Sequence, residues 1–471
     1  MTSPDPGSFR DPLSRVYVSG DEVLRGLSDG GLREFELVDG APFFESLMSD
    51  GSVVATELLP ADSHPLHEQW SGVLRHERIP VISYPYEWTF EMLRDAALLQ
   101  IDVARRSIEA GFSTKDATSY NVVFQGSQPK FIDVGSFEKA RPGEPWPGYR
   151  QFCELFLNPL VVQAATGVHF HPWLRGTLDG ISASDVAAVV PLRKRLFRGL
   201  AVHVTLHARA ERRYAEADGD VSDEMRQAGF GPKIVLAQLA NLDKAVRRLK
   251  WKAQRSEWSD YSDRAHYVGD DLPAKDAFVA SAVEDLAPDM VVDLGANDGR
   301  FSKLALAHGA KYVVAPDVDH LVVDKLYRHL RETGENRILP LVLDLANPST
   351  GLGWRGRERQ SFTDRVRPDL VLCLAVIHHL ALSNTVPFEE IVALLADFDA
   401  PLVVEFPHPN DPMVKRLLSR KRKGLFDHYA QDNWEQALAT RFTVDKSVLL
   451  PSGTRTLYRC SPITGSTPVD G

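Results

Sequence analysis

A chain of 471 residues exceeds what one ordinary hydrophobic core organises, so two or three domains are expected. Its 44% hydrophobic and 25% charged composition is that of a folded globular protein, and no stretch reaches the roughly 18 uninterrupted apolar residues of a membrane span. A formal charge of −10 gives no general attraction to phosphate backbones and disfavours nucleic acid as a partner. The three cysteines, Cys153, Cys373 and Cys460, lack the close pairing of zinc sites or disulfide frameworks and fit a reduced, cytoplasmic setting.

In chain order, residues 1–14 and 464–471 have no apolar periodicity and read as solvated tails. Residues 15–183 read as an α+β domain. A strand is expected within Gly51 to Leu59, and a hydrophobic helix over Phe90 to Ala110. The stretch Ser113-Thr-Lys115-Asp116-Ala-Thr-Ser-Tyr-Asn121 is followed, after a Gly-Ser turn, by Pro129-Lys-Phe-Ile-Asp133-Val-Gly135. An Asp, an Asn five positions on, and a second Asp just before an x-Gly resemble the catalytic and metal-binding loops of protein kinases and aminoglycoside-kinase-like enzymes. That resemblance implies a kinase-like domain in which Asp116 orients an acceptor hydroxyl while Asn121 and Asp133 hold magnesium. The departures imply lost phosphotransfer. No lysine precedes Lys115, Glu57 stands on the candidate strand where a phosphate-holding lysine is wanted, and no glycine-rich phosphate loop is present.

His169 and His171, one residue apart and without a nearby third ligand, read as packing residues, so no metal is expected. Residues 184–250 are helix-compatible: Val189, Leu192, Leu196 and Leu200 recur at near-helical spacing, and a second run extends from Ile234 to Trp251. They read as connecting helices.

Residues 251–463 alternate strands and helices, the pattern of a doubly wound, largely parallel α/β sheet. The segment Met290-Val-Val-Asp293-Leu-Gly295-Ala-Asn297-Asp298-Gly299 is strand, then glycine turn, leading into a helix. Glycines there let a ligand approach backbone, and the helix start offers free N–H groups. The full Gly-x-Gly-x-x-Gly spacing and a Gly-Lys-Ser/Thr ending are both missing, which weakens dinucleotide and ATP readings. Later strands end at Asp317, where a doubly wound fold holds ribose hydroxyls, at Asp344, ahead of His378 and His379, and at Glu405, ahead of His408. Phe442 to Leu450 and Thr454 to Cys460, joined through Pro451-Ser-Gly453, read as an antiparallel hairpin. Trp258, Tyr261 and Tyr267 precede the glycine-loop strand, where covering a ligand and plain packing both remain open. The basic cluster Lys415, Arg416, Arg420, Lys421, Arg422 and Lys423 reads as a solvated helix face.

Val291 to Gly299 resembles the first motif of class I S-adenosylmethionine-dependent methyltransferases, and Asp317 and Asp344 fall where that family's second and third motifs end. The resemblance implies a Rossmann-like sheet closed by an antiparallel hairpin, with S-adenosyl-L-methionine as cofactor. It implies that Asp293 and the backbone of Gly295, Asn297 and Gly299 hold the methionine moiety, Asp317 the ribose, and Asp344 with Leu345 the adenine. His378, His379, Glu405 and His408 are then the candidate catalytic or substrate-contacting groups. The Asn/Asp-Pro-Pro-aromatic signature of nucleobase and glutamine amide methylation is missing. The whole chain is also similar to rhizobial nodulation-type methyltransferases, through Lys115 to Glu138, Tyr149 to Leu160, Leu178 to Ile181, and Val404 to Phe406 with Asp411 to Leu418. A bacterial methyltransferase acting on a small-molecule, carbohydrate or natural-product acceptor is implied, with the kinase-like half aiding substrate binding. A bifunctional kinase–methyltransferase and a non-catalytic scaffold are the alternatives.

Overall fold

The computed structural model describes residues 4–141, 143–195, 231–252 and 270–463. It comprises two units: Met1–Ala253 with Gly351–Arg359, and Gln254–Thr350 with Gln360–Gly471.

In the first unit, strands β1 (Ser14–Ser19), β2 (Glu22–Leu27), β3 (Thr56–Leu58) and β4 (Gly72–His76) form an antiparallel sheet in the order β1-β2-β4-β3. The helix Phe90–Glu109 is started by Thr89, whose hydroxyl accepts from the Met92 amide. It buries Leu93, Ala97, Ile101, Ala104 and Ile108, an apolar stripe at helical spacing. Four short strands follow: β5 (Phe112–Thr114) pairs with β8 (Phe137–Lys139), and β6 (Val122–Gln125) with β7 (Gln128–Phe131). Each pair is antiparallel. The helix Pro232–Arg248 buries Val235, Leu239, Leu242 and Val246. The expected repeat at Leu196 and Leu200, the aromatic residues Trp258, Tyr261 and Tyr267, and the tail 464–471 lie outside the described residues.

Two sequence expectations change here. Residues 4–13 are not a solvated tail: the Asp5 amide donates to the Val16 carbonyl at 2.8 Å, and Pro4 bridges Tyr17. Asp11 accepts from the Leu13 amide and the Ser14 hydroxyl, at 2.8 and 2.6 Å, which turns the chain into β1. Short polar residues built a turn where composition suggested only solvation. The second change is Gly351–Arg359, read as part of the C-terminal domain but belonging to the first unit. There Glu358 pairs with Arg10 at 2.5 Å, and the Arg359 guanidinium lies 5.0 Å over the Tyr120 ring.

The second unit is a seven-stranded sheet of β9 (Met290–Leu294), β10 (Tyr312–Asp317), β11 (Ile338–Val342), β12 (Leu370–Cys373), β13 (Leu402–Pro407), β14 (Phe442–Leu449) and β15 (Arg455–Pro462). Its order is β11-β10-β9-β12-β13-β15-β14. The first five strands are mutually parallel, and β15 runs antiparallel to both β13 and β14. Parallel strands covered on both faces must be apolar throughout, and β11 and β12 are buried at every position. Val291, Leu372, Val403 and Leu457 pack with Phe278, Val283 and Leu326 of the covering helices. Strand order reverses beside β9, between β10 and β12, and in such sheets the crevice at the strands' carboxyl ends there is where ligands bind. Among the described residues, no helix is long and apolar enough to cross a membrane.

Candidate functional site

The switch point concentrates the residues singled out from sequence. Asp293, near the end of β9, is 1% exposed, and its carboxylate accepts from the Ser302 hydroxyl at 2.7 Å. Burial pushes its carboxyl up to about 6, against the opposing pull of Ser302 and Lys275. The turn that follows folds back toward β10: the amides of Gly295 and Ala296 donate to the Pro316 carbonyl at 3.0 and 3.1 Å. Gly295 and Gly299 have φ of 74°, and a Cβ on Gly295 would come within 2.5 Å of Val376. Backbone conformation and close approach therefore both require these glycines. Asn297, at φ 50°, also takes the left-handed region.

Asp317 ends β10. Its two oxygens accept from the amides of Asn297 and Asp319, at 3.0 and 2.8 Å, so the carboxylate is fixed to the glycine turn. Burial raises its pKa, opposed by these amide donors. The Val318 amide also points at this carboxylate, and of its four lone-pair sites one remains for a further donor such as a ribose hydroxyl. Asp344, two residues beyond β11, is exposed, and its Oδ1 accepts from the Ala346 amide at 2.9 Å; Leu345 is half-buried beside it. The groups at two adjacent strand ends fit a nucleoside: a fixed acceptor at Asp317, a solvent-facing carboxylate at Asp344, an apolar surface at Leu345.

Beyond β12, Ala375 takes φ 57°, and the chain enters a wide helical turn over His379–Ser383. His378 is fully buried with neither ring nitrogen hydrogen-bonded, and its ring centre lies 4.0 Å from that of His379. Burial holds His378 well below its ordinary pKa, with His379, Arg455 and Lys275 adding repulsion. His379 is half-buried and lowered to about 4 by burial and then Arg455. Both rings are neutral at physiological pH.

Glu405 does not stand at the strand mouth as a free base. It is completely buried, with Lys275 Nζ at 2.5 Å on one oxygen and Arg455 Nη1 at 3.0 Å on the other. Burial alone would raise its pKa, but the two cations outweigh burial and hold it below the usual carboxylate range. Arg455 Nε continues to Asp411 at 2.8 Å, and Asp411 accepts from the Met413 and Val414 amides at the start of the helix Pro412–Leu418. A buried line of alternating charge thus ties the helix Asp271–Leu286, the end of β13, the start of β15 and the helix after β13. His408, lowered by burial, places Nε2 2.8 Å from the Thr456 hydroxyl.

Sequence reasoning missed Lys275, Ser302 and Arg455. Lys275 shares a helix face with the buried Phe278, Val279, Ala282 and Val283. A lysine on an apolar stripe was the available signal.

In the first unit, Asp116, Asn121 and Asp133 come together. Asn121 Nδ2 and the Ser136 hydroxyl donate to Asp116 Oδ1 at 2.7 and 3.2 Å. Burial, and then the Asp133 charge, push the Asp116 carboxyl up to about 6. Lys115 pairs with Glu34 at 2.7 Å, and Glu57 on β3 pairs with Arg75. His171 gives Nε2 to the Trp88 carbonyl at 2.7 Å and stacks on Phe170, with burial lowering it to about 3.

Against known proteins, the chain is 34% identical over 459 residues to the nodulation protein NoeA of Rhizobium meliloti (strain 1021), spanning 96% of this chain and 94% of that protein. The chain belongs to the NoeA family. No family model matches it. Solved structures similar to part of this family member include magnesium protoporphyrin IX methyltransferase from Synechocystis PCC 6803 with bound SAH, at 20% identity and TM-score 0.30, covering 43% of this chain and 93% of that one. The N-methyltransferase NodS from Bradyrhizobium japonicum WM9 is similar at 16% identity and TM-score 0.28, over 41% of this chain and 99% of that one.

Proposed function

We propose that this chain is an S-adenosylmethionine-dependent methyltransferase acting on a small-molecule or carbohydrate acceptor. The observation that carries the reading is the placement of Asp293, Asp317 and Asp344 at the ends of the adjacent parallel strands β9, β10 and β11, beside the point where strand order reverses. Asp317 accepts a ribose hydroxyl, Asp344 and Leu345 flank the adenine, and the backbone of residues 295–299 receives the methionine end. Asp293, expected to meet the methionine moiety itself, is 1% exposed and bonds Ser302, so its part is to tie the end of β9 to the helix after the turn.

S-adenosylmethionine supplies an electrophilic methyl group on a sulfonium. The chain's part is to hold an acceptor atom close and in line, which is where most of the rate gain in a displacement arises. His379, neutral and half-buried, is the acceptor-side group able to take a hydrogen bond or a proton. His378 is fully buried against His379, His408 bonds the Thr456 hydroxyl, and Glu405 holds Lys275 and Arg455 in place rather than accepting a proton. The direct test incubates methyl-labelled cofactor with the full-length protein and a small-molecule extract of its source. A labelled product is expected, with transfer reduced in His379→Gln; an extract left unlabelled while the cofactor binds would favour the scaffold alternative.

We also read the first unit as kinase-like and without phosphotransfer. The grouping of Asp116, Asn121 and Asp133 supports the first part, and the lack of a lysine before Lys115 the second. Its role is to aid acceptor binding.

A further inference from the structure

The kinase-like reading implies a divalent metal at Asn121 and Asp133, and the surrounding side chains do not fit one. Arg25, on β2, is 9% exposed and places Nη1 3.0 Å from Asp133 Oδ1 and 3.3 Å from the Ser14 hydroxyl. Ser14 in turn donates to Asp11 at 2.6 Å. The guanidinium passes directly over Gly135: a Cβ there would lie 2.9 Å from Arg25 Nη1, 3.6 Å from Asp133 Oδ1 and 3.7 Å from Asp11 Oδ2. Gly135 has no left-handed φ, so its glycine makes room for Arg25 rather than for a turn.

Every carboxylate of the group already has a donor from the protein. Asp116 has Asn121 and Ser136, Asp11 has Ser14 and the Leu13 amide, and Asp133 has Arg25. Burying a guanidinium is costly unless a carboxylate compensates it. A metal bound to Asp133 would lie against that fixed positive charge. We propose that Arg25 stands in the place of the divalent cation, so that Asp133 is neutralised from within and the Asp116–Asn121–Asp133 cluster takes no metal–nucleotide. The proposal rests on the kinase-like reading of this unit and adds the residue that closes the site.

The test is titration of the full-length protein with Mn2+, read by electron paramagnetic resonance. Wild type is expected to bind no Mn2+ at this cluster. Arg25→Gln, which removes the charge and keeps much of the volume, should gain one Mn2+ site, at least tenfold tighter than any residual Mn2+ binding elsewhere on wild type and lost again when Asp133→Asn is added. Mn2+ binding by wild type that disappears in Asp133→Asn would overturn the assignment of Arg25 and leave the kinase-like reading standing. A folded Arg25→Gln that gains no site would overturn it as well. Should Arg25→Gln fail to fold, the comparison of wild type with Asp133→Asn decides alone. Magnesium-dependent phosphoryl transfer from ATP, lost in Asp133→Asn, would overturn both this proposal and the absence of phosphotransfer.

Discussion

Each unit gathers carboxylates at the ends of strands or in the loops after them, and the two gatherings differ in what balances them. In the first, Arg25 neutralises Asp133, and Lys115 is taken by Glu34. In the second, Asp317 and Asp344 receive backbone amides, with no cation among the hydrogen bonds and ion pairs described for them. Lys275 and Arg455 lie deeper in that unit, on Glu405 and Asp411. A carboxylate oriented by neutral donors keeps capacity for a ligand's hydroxyls, whereas one closed by a buried guanidinium is a structural unit. On the proposed readings, the contrast is between a site open to a nucleoside and one that has closed on itself.

The largest effect should come from breaking the deep ion pairs. Lys275→Met leaves Glu405 buried with one cation instead of two, and removing one partner of a buried pair costs about 3–5 kcal/mol. The second unit's thermal transition should fall by many degrees; an unchanged transition would show that Lys275 adds nothing to the network. Next comes the pH dependence of Asp293. Its folded pKa of about 6 exceeds the free value of 3.8, so the folded state holds its proton more tightly and stability declines as pH rises from about 4 to 6. Asp293→Asn should remove that decline, worth about 3 kcal/mol relative to wild type. Denaturant unfolding at several pH values checks it, and parallel curves for the two proteins would contradict it. The smallest effect belongs to the exposed carboxylate: Asp344→Ala should weaken nucleoside binding by about tenfold or less, the worth of roughly one hydrogen bond, with stability unchanged.

Much of the second unit was legible in sequence because its signals are local. Val291 and Val292 run into Gly295, the apolar runs before Asp317 and Asp344 stop at a carboxylate, and the turn at Gly453 separates two alternating segments. Each signal lies within one element and its turn. Arg25, Lys275 and Arg455 were not legible, since their meaning lies in partners 108, 130 and 50 residues away along the chain. Glu405 was misread for the same reason: a strand-end glutamate looks identical whether it faces an acceptor or two buried cations. Residues 4–13 and Gly351–Arg359 were misplaced because composition and chain order carry no record of Asp11 capping a turn or of Glu358 meeting Arg10.

Isothermal calorimetry of the full-length protein with S-adenosylhomocysteine tests the central claim most directly, with Asp317→Ala as its partner. The account predicts one site per chain in wild type and binding weakened about ten- to a hundredfold in Asp317→Ala, the worth of hydrogen bonds to a charged group. A folded wild-type protein that binds neither this nucleoside nor S-adenosylmethionine would contradict the methyltransferase reading.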